Sequence, residues 1–97
     1  MRLKTDEKEA IIQAVLAVDP HAKIWLFGSR VDDSKKGGDI DIAILSHAIA
    51  GDIMQKIKVR RGICDKIGEQ KIDILVSKSG EEAFFKLAQA SGTALNE

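Results

Sequence analysis

Two short runs constrain the fold of this chain more than any other feature. Ile40-Asp41-Ile42-Ala43-Ile44-Leu45 and Lys71-Ile72-Asp73-Ile74-Leu75-Val76 share one layout, an aspartate near the start of an otherwise apolar stretch. A strand with one wet face alternates apolar and polar residues, whereas near-continuous apolar runs belong to strands covered on both faces. A carboxylate buried in such a strand without a partner is costly, so each aspartate belongs at an open strand end. Residues 52–67 have the length of a helix, which is the crossover that two parallel strands require. Side by side and parallel, the two runs bring their starting ends together, and Asp73 joins Asp41.

Upstream lies a complementary pattern. The apolar run Ile24, Trp25, Leu26 and Phe27 is followed at once by Gly28-Ser29, and a polar, glycine-bearing loop over residues 30–38 leads to Asp39-x-Asp41. Where a chain leaves a strand and enters a helix, the first backbone N–H groups lack helical partners and can hold a phosphate. Gly28 lets the backbone come close, and Ser29 adds a hydroxyl for a phosphate oxygen or a helix cap. Arg30 adjoins the turn and can offset triphosphate charge. Lys35 and Lys36 can do the same, although solvated loop cations are the plainer expectation for them.

Asp39 and Asp41 are two apart on a strand, so their side chains share a face with backbones roughly 6.6 Å apart. Carboxylates so placed repel unless a cation lies between them, and Mg²⁺ prefers carboxylate oxygens completed by substrate phosphates. Asp39, Asp41 and Asp73 beside a phosphate-holding turn therefore predict metal-assisted chemistry on a nucleoside triphosphate. Two Mg²⁺ ions about 3.5–4 Å apart would bind the triphosphate and the attacking oxygen together. Asp73 is also the candidate general base.

Gly28-Ser29, a short spacer, Asp39-x-Asp41 and the later strand carboxylate Asp73 resemble the nucleotidyltransferase superfamily typified by the polymerase beta palm. The chain's size resembles that of its smallest members, the minimal nucleotidyltransferases (MNT). The resemblance covers residues 24–76, and the flanking helices also suit the family. It implies a nucleotidyltransferase fold, Mg²⁺ on Asp39 and Asp41, completion of the metal site by Asp73, and a triphosphate held by Gly28 and Ser29. The nine-residue spacer between Ser29 and Asp39 is shorter than in many MNT antitoxins; loops absorb such differences readily. The implied activity is transfer of a nucleoside monophosphate, AMP from ATP or the equivalent from another triphosphate, to an acceptor hydroxyl. Larger relatives add a second domain, so the small size implies a partner. By resemblance this is a HEPN-type helical protein, paired with the MNT protein as toxin to antitoxin, or else a second copy in a homodimer.

The 97 residues predict a single domain spanning 1–97, long enough to bury a core without staples. Lysine plus arginine and aspartate plus glutamate number 15 each, so no net basic field points to nucleic acid as the main partner. The lone Cys64 cannot form an intramolecular disulfide, and no secretory or membrane-spanning segment is evident, so a cytoplasmic protein without membrane contact is expected. No Gly-x4-Gly-Lys-Ser/Thr loop or Rossmann fingerprint occurs. One cysteine and two separated histidines disfavour zinc.

The remaining segments predict an α/β (α+β) domain: a small, mixed, three-stranded sheet flanked by helices in the order α-β-α-β-α-β-α. A helix is expected over residues 6–18, with Asp6 and Glu9 resembling a capping box, ended by Asp19-Pro20. A strand follows over 23–27, and a short helical turn over 29–32. The helix over 52–67 is expected to bury Ile53, Ile57, Cys64 and Ile67, with Met54 and Ile63 beside them and a solvated basic side of Lys56, Lys58, Arg60 and Arg61. The last helix, over 81–91, is expected to turn Ala83, Phe84, Leu87 and Ala88 inward and Phe85 elsewhere, with frayed residues after it. His21 and His47 read as surface residues. A rival function from another class is a binding module that neutralises or scaffolds a partner through the Phe84-Phe85 region or the basic helix.

Overall fold

The computed structural model describes residues 4–28, 40–68 and 71–96. These form α1 (Thr5–Val18), β1 (Lys23–Phe27), β2 (Ile40–Leu45), α2 (His47–Ala50), α3 (Ile53–Ile67), β3 (Ile72–Ser77), α4 (Ala83–Ser91) and β4 (Thr93–Ala94). Among the described residues the sheet is mixed and has four strands in the order β3-β2-β1-β4. β2 runs antiparallel to β1 and parallel to β3, the parallel pair being the arrangement expected of the twin apolar runs. The short helical turn expected over 29–32 lies outside the described residues.

The fourth strand corrects the expected three-stranded sheet. Thr93 and Ala94 pair antiparallel with Leu26 and Trp25, so β1 is an interior strand. Leu95, expected to fray, is buried in the core, and its N–H donates to Ile24 O at 2.8 Å. Asn96 then continues the ladder with its side chain, accepting from Ile24 N–H at 2.8 Å and donating to Ala22 O at 2.9 Å. Gly92 sets the entry to this strand: a Cβ there would stand 2.4 Å from Leu26 O and 2.7 Å from Ala88 O.

Ile40, Ile42, Ile44, Ile72, Ile74, Ile24 and Leu26 line one face of the sheet and pack with α1 and α3 in the larger apolar cluster. α1 starts one residue earlier than expected and uses a different cap, the Lys4 N–H donating to Glu7 Oε1 at 3.0 Å. α1 and α3 approach closely because small residues meet: a Cβ on Gly62 would lie 3.1 Å from Ala14 Cβ. α3 starts one residue later than expected, with Asp52 as its cap, accepting from Met54 N–H at 2.9 Å.

The buried stripe of α3 corrects the expectation. Val59 and Ile63 are fully buried, while Ile53 is 73% exposed and Met54 and Ile57 also face outward. Cys64 and Ile67 do pack against the core as half-buried residues. Arg60 is not merely part of a solvated face, since its Nη1 donates to Ile72 O at 2.6 Å and ties the crossover helix to strand β3.

α4 covers the opposite face, where Ala43, Phe85 and Ala88 are buried with Trp25, Phe27, Leu45 and Leu75 packed against them. Its phase also differs from expectation: Phe85 is fully buried, Phe84 is 48% exposed and Leu87 71%. Phe85 meets Trp25 edge to face, centroids 5.6 Å apart at 88°, and burying such a ring contributes roughly 1.5–3 kcal/mol. Among the described residues no helix is long and apolar enough to cross a membrane.

Candidate active site

The parallel pairing of β2 with β3 puts two of the expected carboxylates next to each other. Asp41 and Asp73 are direct register partners, and on neighbouring strands about 4.8 Å apart such residues share one face. Asp41 is half-buried and Asp73 exposed, as an open strand end demands. On its other side Asp41 is the register partner of Phe27, so Gly28 follows at the same end of the sheet.

Gly28 is tied to Asp41 by space as well as by conformation. Its φ of +78° lies in the left-handed region, and a Cβ there would stand 2.3 Å from Asp41 Oδ2 and 3.1 Å from Asp41 Cγ. Only glycine leaves room for the carboxylate to lie over the backbone as the chain leaves β1. The end of β1 and the starts of β2 and β3 thus converge, and Gly28, Asp41 and Asp73 are gathered there.

Asp39, Ser29 and Arg30 lie outside the described residues, as do Lys35 and Lys36. Among the described residues, no group of three or more histidine, cysteine, aspartate or glutamate side chains forms a metal site. Asp41 and Asp73 fit a hard cation in ligand chemistry and placement, two oxygen donors on one face beside an open end, and the third expected ligand is Asp39.

The opposite end of the sheet holds a grouping not expected from the sequence. His21 and His47, read separately as surface residues, line one cleft with Lys23, Lys78 and Asp19. Asp19 Oδ2 accepts from Ser46 Oγ at 2.6 Å and Oδ1 from His21 N–H at 2.9 Å. The Ser46 hydroxyl first, then the His21 N–H, holds the Asp19 carboxyl below the usual aspartate range. The available signal was positional: each of these residues stands just outside or at the end of an element, and the topology sends those ends to one side.

No protein-family model matches this chain, and no curated protein matches it significantly.

Proposed function

We propose that this chain is a magnesium-dependent nucleotidyltransferase with a nucleotidyltransferase fold, moving a nucleoside monophosphate, AMP from ATP in the first instance, onto an acceptor hydroxyl. The observation that carries the proposal is the Asp41-Asp73 register at the end of the sheet where Gly28 makes room for a carboxylate. Asp41 and Asp73, with Asp39, are the residues that would hold Mg²⁺, which when bound neutralises triphosphate charge and favours the attacking oxygen as its alkoxide. Asp73, exposed on β3, is available to take the acceptor's proton on a carboxylate oxygen. The freed oxygen forms a bond to the α-phosphorus as the bond to pyrophosphate breaks. Gly28 lets the chain pass close to the phosphates, and Ser29 and Arg30 follow it as phosphate ligands by resemblance.

The acceptor or partner belongs to the same proposal: a hydroxyl on a HEPN-type helical protein, with this chain as antitoxin, or a second copy in a homodimer. One observation favours a binding role besides catalysis, the outward-facing Phe84 and Leu87 on α4. In that second reading the chain masks a helical partner through α4 whether or not it transfers nucleotide.

The experiment is a transfer assay with α-³²P-ATP, Mg²⁺, the purified chain and the product of the neighbouring gene. Asp41→Asn and Asp73→Asn are each expected to lower label transfer by roughly a hundredfold or more. Calorimetry showing that neither Mg²⁺ nor any triphosphate binds, with or without the partner, would overturn the enzymatic reading. Unchanged partner inhibition by both variants, with no label transfer by wild type, would establish the binding role in its place.

A further inference from the structure

The end of the sheet away from the carboxylates carries a cleft that nucleotidyl transfer does not use. Its volume is about 410 Å³, within the size range of small-molecule sites. Lys23 begins β1 and Lys78 follows β3, and between them Leu45 ends β2, where it is the register partner of both Lys23 and Ser77. Lys23 and Ser77 therefore stand two strand spacings apart, about 9.6 Å at the backbone, and Lys78 is the next residue after Ser77, so both lysines border the same end of the sheet on flexible stems. His21 and His47 supply two more polar rings to the same rim, and all four side chains are exposed.

Among the described residues of the lining the one acid is Asp19, and both its oxygens are already engaged, by Ser46 Oγ and by His21 N–H. Leu45 and Ala48 provide apolar wall. A cation has no place among two ammonium groups, and a cleft of this size with an apolar wall suits a compact ligand better than an extended polyanion. A compact anion with an apolar portion matches both halves of the cleft.

We propose that this cleft is a second ligand site, taking a small phosphorylated molecule whose phosphate lies between Lys23 and Lys78 and whose apolar portion rests on Leu45 and Ala48. It is separate from the carboxylate end: Asp41 and Leu45 are four residues apart on β2, about 13 Å. The site does not depend on the chain being a nucleotidyltransferase.

The test is a ¹⁵N-¹H NMR titration of the full chain in magnesium-free buffer containing EDTA, with inorganic phosphate and with phenyl phosphate. Saturable shifts are expected at the amides of residues 21–23, 45–48 and 78–79, with phenyl phosphate the tighter ligand. Lys23→Ala with Lys78→Ala is expected to weaken phenyl phosphate by about tenfold or more, the loss of two charge-assisted contacts at an exposed rim. Single Lys23→Gln and Lys78→Gln variants, each losing a smaller share, serve if the double variant does not fold. Asp73→Asn is expected to leave this binding unchanged, which separates the cleft from the carboxylate end. Non-saturating shifts, shifts spread over the surface lysines, undiminished binding by the lysine variants, or tighter binding of a single-stranded oligonucleotide would each overturn the proposal.

Discussion

Ser46 shows how much of this fold is settled by single side chains. Its hydroxyl oxygen donates to Asp19 Oδ2 at 2.6 Å and accepts from Ile49 N–H at 3.1 Å, so one residue caps α2 and ties the end of α1 to the end of β2. Ser46→Ala removes both bonds and is expected to lower unfolding free energy by about 1–2 kcal/mol at neutral pH. Part of that loss is pH-dependent. The Asp19 carboxyl titrates lower in the folded chain than unfolded, chiefly because of the Ser46 hydroxyl, so its contribution is fully present above the ordinary aspartate value of about 3.9 and is lost as pH falls through the lower folded value. Urea titrations followed by the fluorescence of the single Trp25 are expected to show the gap between wild type and Ser46→Ala narrowing from about pH 6 to about pH 3. The capping share should persist throughout. A gap that is constant across that range would show that the Asp19 bond contributes nothing.

At the scale of elements, the C-terminal strand makes the sharpest claim. β4 contains just Thr93 and Ala94, too short for a propensity signal, and the next two residues hold it in place: Leu95 in the core and the Asn96 amide against β1. Asn96→Ala strands the N–H of fully buried Ile24 and the carbonyl of buried Ala22, a loss of about 2 kcal/mol. In a domain of this size the expected fall in Tm is about 8–16 °C by calorimetry. A fall of less than about 3 °C would mean that water satisfies those groups and that β4 is incidental. Elements whose periodicity is strong were legible in the sequence: β1 spans the expected residues, β2 and β3 pair in parallel, and α3 covers all but the first residue of the helix expected over 52–67. Helix phase was not. In α4 the adjacent Phe84 and Phe85 permit two phasings about 100° apart, and the choice belongs to Trp25, whose ring edge receives Phe85. In α3 the apolar Ile53 and Ile57 outweighed Gly62 in the pattern, yet the glycine marks the side where α1 comes close. The register of Asp73 on Asp41 was legible because two similar runs and a helix-length spacer leave little choice. The cationic cleft was not, because its residues come from distant loops and strand ends.

At the scale of the whole molecule, the two faces of the sheet are covered unequally. Among the described residues α1 and α3 together bury one face, whereas α4 is the one helix on the other, where Trp25, Phe27, Leu45 and Leu75 remain half-buried. Phe84 and Leu87 point away from the sheet on that same helix. Apolar side chains grouped on the outer face of a helix make a surface of the kind used in docking. If a second copy covers them, sedimentation of wild type should show a monomer-dimer equilibrium, and Phe84→Ser with Leu87→Lys should weaken it by about tenfold or more, since central apolar anchors carry most of an interface's energy. Neither residue belongs to the buried core, so the double variant should keep the wild-type unfolding free energy within about 0.5 kcal/mol. If a helical partner covers them instead, wild type sediments as a monomer and the same substitutions abolish co-elution with that partner while leaving the proposed Mg²⁺ binding at the carboxylate end unaffected. A monomeric wild type whose partner binding survives both substitutions would move the interface off α4, with the exposed Ile53, Met54 and Ile57 of α3 the next surface to alter.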